Sequence, residues 1–169
     1  VTRNDDNRPA PLLAGRYVDE FVRADGTWKI LKRTSHGVIP YRDPAEPRAS
    51  TPPPAAGPSN AARIQRLEDE LALRRIIVDY AATLDAHDFA AYAALFARDG
   101  TWQTGATVRR GSEEIQQMLL GLYGPTPAGY VNRESYHLVS NMAVDVKGDR
   151  ATARSRHLLV LRGPDGHPT

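Results

Sequence analysis

The chain has 169 residues, 41% of them hydrophobic and 25% charged, so one globular domain with its own core is expected. Lysine and arginine number 22 against 20 acidic residues and form no long basic stripe, which argues against a nucleic-acid partner. The absence of cysteine excludes disulfides and thiolate chemistry. No apolar run approaches the roughly 20 residues that span a bilayer, and no signal peptide opens the sequence, so we expect a cytoplasmic protein without membrane association.

The N-terminal part of the chain predicts a β-hairpin. Residues 1–11 are polar and are expected to form a frayed terminus. Residues 15–23 and 27–35 read as strands, and Ala24-Asp25-Gly26 between them is typical of a turn. The run 42–60 is rich in proline, alanine and serine without apolar periodicity, which predicts an exposed linker.

Three helices are predicted next. Residues 61–85 carry apolar side chains at helical spacing, after Ser59 or Asn60 as cap. Asp88 is positioned to cap a short second helix, and a third follows Gly111. The apolar positions of the first helix are Ile64, Leu67, Leu71, Leu73, Ile76, Ile77, Tyr80 and Leu84.

The C-terminal part returns to strands. Residues 134–146 and 150–161 alternate with period two and are joined at Lys147-Gly148-Asp149, a hairpin signal. Because helices cluster in one stretch and antiparallel strands in the others, the fold class is predicted as α+β.

Period two also assigns the faces of these two strands. In 150–161, Arg154 and Arg156 favour the solvent side, which makes the face of His157 the inner one. In 134–146, the face predicted to be inner carries His137, Val139, Asn141 and Ala143. The opposite face would expose Tyr136, Leu138, Met142 and Val144, so we expect a homo-oligomer, most simply a dimer, with a trimer as the alternative.

Three segments of the chain resemble the SnoaL-like proteins of the nuclear transport factor 2-like superfamily. They are RIQRLEDELALRRIIVDYAATLDAHDFAAYAALFARDGTW, YHLVSNMAVDVKGDRATARSRHLLVL and GRYVDEFVRADGTWKILKR. The resemblance implies a cone-shaped barrel, in which a curved antiparallel sheet wraps over three helices and encloses one pocket. In the family the third segment comes last. Here it comes first, so a circularly permuted single domain is expected, with the family's C-terminal hairpin at 12–41, a linker at 42–60 and the family's N-terminal part at 61–169.

The resemblance also implies site residues. The tyrosine, aspartate, histidine and arginine of the bile acid dehydratase branch match Tyr80, Asp85, His137 and Arg33. Scytalone dehydratase matches at Asp85 and His137. The dehydrochlorinase branch shares the aspartate, histidine and arginine but has a lysine where Tyr80 stands, which argues against haloalkane elimination.

These residue types suit proton abstraction next to a carbonyl. A histidine such as His137 can take the proton, and Asp85 on its other nitrogen would fix the tautomer and stabilise the imidazolium. Tyr80 could donate a hydrogen bond, and Arg33 could hold an anion or leaving group. Asn141, His157 and Trp102 are second-rank candidates for lining the substrate pocket.

The leading hypothesis is a cofactor-independent, dehydratase-like lyase or isomerase acting on a hydrophobic, carbonyl-bearing small molecule. The sequence has no glycine-rich phosphate loop, HExxH or EF-hand loop, so no cofactor or metal is expected. Two alternatives stay open: a non-catalytic module that binds a small ligand or dimerises, and an epoxide hydrolase, which would need a second acid beside Asp85. A direct contact between Asp85 and His137 would favour the enzyme, whereas a core histidine and a helix-ending aspartate would not.

Overall fold

A computed structural model describes residues 13–37 and 59–162, which form six strands and three helices. The predicted terminus at 1–11 lies outside the described residues. The predicted linker at 42–60 does so too, apart from Ser59 and Asn60. In chain order the elements are β1 (Leu13–Ala24), β2 (Thr27–Gly37), α1 (Asn60–Asp85), α2 (Phe89–Ala94), β3 (Phe96–Thr104), β4 (Thr107–Arg110), α3 (Gly111–Tyr123), β5 (Ser135–Lys147) and β6 (Arg150–Leu161).

The strands form one sheet in the order β4-β3-β2-β1-β6-β5. The N-terminal hairpin therefore occupies the middle of the sheet, with β1 antiparallel to β6 and Tyr17 opposite Ser155. The hairpin thus pairs with a strand from the other end of the chain, which is the pairing that a circularly permuted order requires. The sheet is mixed rather than wholly antiparallel, because β2 and β3 run parallel. The helices α1 and α2 separate these two strands, so no short hairpin dictates their direction.

One face of the sheet packs against the helices and forms the core. Inner-face residues of β1 and β6 alternate with exposed or half-buried ones, as predicted for β6 from its arginines. The fold class is α+β, as predicted. The core cluster contains Tyr17, Phe21, Trp28, Ile30, Leu73, Ile77, Tyr80, Phe89, Tyr92, Ala93, Phe96, Ile115, Leu119, Ala151 and Ala153.

The face assignment in the second half of β5 is wrong. The pairing of β5 with β6 shifts register between Ser140 and Ala143, and Asn141 has a left-handed backbone with φ 52°. This bulge reverses the alternation, because one extra residue moves every later side chain to the other face. Asn141 is consequently exposed, whereas Met142 and Val144 pack against the core. The apolar outer surface predicted for oligomerisation keeps only Tyr136 and Leu138.

The first turns of α1 also differ from the prediction. Ser59 caps the helix, since its Oγ accepts a hydrogen bond from the Ala62 N–H at 3.2 Å. The apolar positions Ile64, Leu67 and Leu71 are more than half exposed instead of facing the core. Helical spacing identifies one face of a helix, but it does not show which turns have a packing partner.

Strands β3 and β4 were not predicted from the sequence. They form a hairpin in which Trp102 lies opposite Arg109, and β3 places Trp102 beside Arg33 of β2. The pair of strands extends the sheet next to the residues that carry the candidate site.

Candidate active site

Asp85 and His137 are in direct contact. Asp85 is the last residue of α1, and His137 lies on the inner face near the start of β5. The His137 ring Nδ1 lies 2.6 Å from Asp85 Oδ1, and the His137 backbone N–H donates to Asp85 Oδ2 at 2.9 Å. Both carboxylate oxygens are therefore engaged by one residue, which fixes the carboxylate relative to the ring. The side chains are partly exposed, 23% for Asp85 and 11% for His137.

The contact determines which ring nitrogen can act as a base. An ionised carboxylate only accepts hydrogen bonds, so Nδ1 of His137 must carry the hydrogen in this pair. In the neutral ring the lone pair then belongs to Nε2, on the side of the ring away from Asp85. The arrangement is that of a histidine base oriented by an acid.

Arg33 lies deeper in the core than the sequence hypothesis required. Its guanidinium and the Asp19 carboxylate are both fully buried and form two hydrogen bonds of 2.6 Å each. Burial lowers the pKa of Arg33, but the adjoining Asp19 charge outweighs it and holds that pKa above its ordinary value. The guanidinium also lies 3.7 Å from the Tyr80 ring centroid and 4.4 Å from that of Tyr17. Since Asp19 already neutralises it, this geometry favours a positioning role over gripping an anion.

Tyr80 is held in place by neighbouring aromatic residues. The Trp102 indole N–H donates to the Tyr80 hydroxyl oxygen at 3.0 Å. The Tyr92 hydroxyl is fully buried and hydrogen-bonded to Tyr80; burial first, and this contact in addition, raise the pKa of Tyr92. The Tyr80 ring belongs to the core cluster, and its five-residue separation from Asp85 on a helix puts the two side chains on different faces. The contact that the structure gives Trp102 is thus with Tyr80, whose hydroxyl it orients.

His157 is the second histidine of the inner face. It lies opposite Val139 on the neighbouring strand, and is thus diagonal to His137. Its ring stacks on Tyr17 with centroids 4.0 Å apart. Burial, with smaller contributions from His137 and Arg33, lowers the pKa of His157 to about 4, so the ring is neutral at pH 7. Its Nδ1 is buried without a hydrogen-bond partner among the described residues, as is the Ser155 hydroxyl.

The structure brings most of the predicted site residues together and leaves Asn141 outside. Asp85 and His137 form a dyad, whereas buried Tyr80 and Arg33 form a second cluster with half-buried Trp102. His157 joins them through Tyr17. Asn141, predicted to share the face of His137, points to the outside because of the bulge.

Sequence reasoning missed Tyr17 and Asp19. Tyr17 lies between the two neighbouring strands, touching His157 from β6 and Arg33 from β2. Asp19 lies directly opposite Arg33 in the β1–β2 register. A signal was available, because alternation in β1 puts Asp19 on the same face as Tyr17 and Phe21, and a buried acid requires a cation.

The titratable side chains of the described residues form no further cluster of ligands. Within residues 13–37 and 59–162, no three His, Asp or Glu side chains converge as a metal site. None of the described helices is both long enough and apolar enough to cross a membrane.

The comparisons with known proteins agree with the fold. The family model described as the SnoaL-like domain matches residues 65–169. No curated protein matches the chain at a significant level. A variant of Rv3472, a Mycobacterium tuberculosis protein of unknown function, is similar in structure with a TM-score of 0.51 at 23% identity. That likeness covers 67% of this chain and 60% of the other, so the chain spans less than two thirds of that relative.

A second similar structure is a Novosphingobium aromaticivorans protein assigned as a scytalone dehydratase. It has a TM-score of 0.50 at 25% identity, covering 63% of this chain and 68% of that one. The matched family segment begins within α1, while the hairpin β1–β2 lies outside it and completes the same sheet. Because the family model covers more than half of the chain, the protein belongs to the SnoaL-like family.

Proposed function

We propose that the protein is a cofactor-independent, dehydratase-type lyase or isomerase that acts on a hydrophobic, carbonyl-bearing small molecule. The observation that carries the proposal is the Asp85–His137 pair, with both carboxylate oxygens on one histidine and a separation of 2.6 Å at Nδ1. Because Asp85 binds Nδ1, this arrangement leaves Nε2 of His137 as an oriented base.

The proposed reaction begins with transfer of a proton from the carbon next to the carbonyl to Nε2 of His137. The electron pair of the broken C–H bond forms an enolate, and Asp85 stabilises the imidazolium. When the enolate collapses, the bond to a β-hydroxyl breaks and that oxygen leaves as water with the proton from His137. Returning the proton to another carbon instead gives isomerisation. Atoms and electrons balance without an external oxidant or reductant.

Two buried groups are assigned to the substrate oxygen. Tyr80 accepts a hydrogen bond from Trp102, whose indole N–H can only donate, so the hydroxyl hydrogen of Tyr80 is left to donate to the enolate oxygen. His157 is neutral at pH 7 and has a buried Nδ1 without a partner among the described residues, which suits a second polar contact to substrate. The Arg33 guanidinium, held by its ion pair with Asp19, packs on the Tyr80 ring and so positions it.

A hydrophobic substrate is supported by exposed apolar side chains at the end of α3 and in the segment that follows it. Leu122 and Tyr123 at the end of α3 are 69% and 50% exposed, and Val131 is 68% exposed. Burial raises the pKa of the Tyr123 hydroxyl, and the charges of Tyr80 and Asp85 raise it further, so Tyr123 lies within electrostatic reach of both. The Tyr123 ring near the dyad favours binding of a ring system or alkyl chain.

The epoxide hydrolase alternative requires a second acid, and the structure offers Asp19 only in a buried ion pair. Asp19 is on the inner face, yet both its oxygens bind Arg33 and the carboxylate is fully buried. A carboxylate that is fully buried in an ion pair with Arg33 is not available to hold an attacking water. The observation therefore favours the dehydratase-type proposal over hydrolysis.

The proposal is tested with a panel of β-hydroxy ketones that includes scytalone, the substrate named by one structural neighbour. Formation of the conjugated product is followed by absorbance, and binding is measured separately by calorimetry. Asp85→Asn and His137→Ala should each lower turnover at least about 100-fold while binding persists. Asp79→Asn is the matched control, since Asp79 lies on the same helix but pairs with Arg75 at the surface.

Binding without turnover by the wild-type protein across the panel would contradict the enzyme proposal and support the binding-module alternative. Equal losses in the Asp79 and Asp85 variants would contradict the assigned role of Asp85.

A further inference from the structure

A single asparagine joins the two elements that carry the dyad. Asn132 lies in the segment between α3 and β5, five residues before His137. Its side-chain NH₂ donates to the Asp85 backbone carbonyl at 2.8 Å and to the Ser135 backbone carbonyl at 2.7 Å. Its side-chain oxygen accepts from the backbone N–H groups of Glu134 at 3.0 Å and Ser135 at 3.2 Å. All hydrogen-bonding positions of the amide group face backbone, so Asn132 holds no free polar atom for a ligand.

These bonds act where a helix would otherwise be unsatisfied. The last carbonyls of a helix have no partner within it, and Asp85 is the final residue of α1. Asn132 supplies the partner for that carbonyl and simultaneously fixes Ser135, the first residue of β5. The end of α1 is thereby fastened to β5 through the main chain, independently of the contact between Asp85 and His137.

We propose that Asn132 is a positioning residue, which sets the distance between the Asp85 carboxylate and the His137 ring by fastening the main chain of both elements. The inference rests on the proposed function for its catalytic consequence, because a base must lie within a fraction of an ångström of its productive position. A displacement of about 1 Å by a remote change can cost about 100-fold in rate. The four hydrogen bonds of Asn132 all go to backbone groups, so it acts on the dyad side chains through the main chain.

The test compares Asn132→Asp with Thr126→Val. Aspartate keeps the shape and the accepting oxygen, but it replaces both donors by an oxygen facing two carbonyl oxygens, which repels them. Thr126 provides the matched control, since its hydroxyl donates at 2.7 Å from the same segment to the carbonyl of His87, two residues beyond Asp85. Each substitution thus removes a side-chain bond between the same two segments, and only one removes the bond to Asp85.

Two readouts are measured on the full chain. The first is the proton NMR signal of the Nδ1–H of His137, which a short, charge-assisted hydrogen bond moves far downfield and which His137→Ala assigns by its loss. The second is steady-state kinetics with the β-hydroxy ketone panel. Asn132→Asp should shift the signal upfield or abolish it, and lower kcat by about 10- to 100-fold with little change in KM. Thr126→Val should leave both unchanged.

The positioning role would be overturned if the Nδ1–H signal stayed unchanged in Asn132→Asp. It would also be overturned if Thr126→Val changed the signal and kcat as much as Asn132→Asp does. Should Asn132→Asp fail to fold by circular dichroism, Asn132→Ser decides, since it keeps one donor and is expected to shift the signal part of the way. The NMR readout needs no turnover. A wild-type protein with a downfield signal but no activity would therefore refute the proposed function while still testing Asn132.

Discussion

The buried Asp19–Arg33 pair allows the sharpest prediction about stability. Asp19→Asn keeps the shape of the side chain but removes its charge, leaving the Arg33 guanidinium in the core without a counter-ion. Both side chains are fully buried and joined by two bonds of 2.6 Å, so neither solvent nor rotation can compensate for the loss. Breaking one partner of such a pair costs about 3–5 kcal/mol.

That cost is large compared with the whole free energy of unfolding, about 5–15 kcal/mol for a domain. Replacing both partners by apolar residues of similar size, as in Asp19→Leu with Arg33→Met, should cost less, because no charge remains buried. The double variant does lose the contacts of the guanidinium with Tyr17 and Tyr80, worth about 1–2 kcal/mol each when desolvated. We therefore expect the double variant to be more stable than Asp19→Asn.

Urea unfolding followed by circular dichroism measures these differences. The expected order of unfolding free energy is wild type, then the double variant, then Asp19→Asn. If Asp19→Asn lowered the free energy of unfolding by less than about 1 kcal/mol, the two charges would not depend on each other as argued. A double variant less stable than Asp19→Asn would lead to the same conclusion.

Three further predictions concern the sheet. The pKa of His157 is about 4 when folded against 6.5 unfolded, so the unfolded state binds more protons between these values and stability falls as pH falls through that window. Wild type should lose about 2 kcal/mol more than His157→Gln between pH 7.5 and pH 5 in urea unfolding, and parallel pH profiles would contradict the buried neutral ring. Asn141 has φ 52°, so Asn141→Gly should leave the melting temperature nearly unchanged, whereas Asn141→Val should cost about 1–2 kcal/mol; equal tolerance of both would mean that the bulge is absent. Homo-oligomerisation stays a prediction, with Tyr136 and Leu138 as the remaining apolar groups of β5, and a light-scattering mass of a single chain would contradict it.

The sequence predicted those parts of the fold that depend on pattern and capping. The cap of α1 at Ser59 and the end of the helix at Asp85 follow from a capping residue and from helical spacing. The inner face of β6 follows from Arg154 and Arg156, which favour water on the opposite side. The pairing of Asp85 with His137 was expected from a resemblance, since the two residues are 52 positions apart and no local pattern connects them.

The inward position of Arg33 and the outward position of Asn141 share a physical cause, which is a local change of strand parity. In β2, Trp28 and Ile30 are buried, and strict alternation would place Arg33 on the opposite face. The shift of register against β1 inserts one residue after Ile30 and turns Arg33 inward, opposite Asp19. Asn141 is displaced outward in β5 by the same kind of irregularity. Such bulges are decided by pairing with a neighbouring strand, which a single sequence does not display.

Asn132 shows a second limit of pattern reasoning. It lies in an irregular segment, and its value comes from four hydrogen bonds to backbone groups of other residues. Backbone contacts of this kind leave no periodicity in the sequence, and asparagine is common in turns for several reasons. Only the three-dimensional arrangement distinguishes it from the other polar residues nearby.

The central claim, that His137 abstracts a proton next to a carbonyl under the control of Asp85, is tested most directly by hydrogen–deuterium exchange. A hydrophobic bicyclic ketone such as 2-decalone is incubated with protein in D₂O, and loss of its α-proton signals is followed by NMR. This measurement reports proton abstraction itself and requires no leaving group. We expect exchange above the buffer rate with wild-type protein and with Asp79→Asn, but at the buffer rate with His137→Ala and at least about 100-fold slower enzymatic exchange with Asp85→Asn. Exchange at the wild-type rate in His137→Ala, or no exchange with a wild-type protein that binds the ketone, would contradict the account.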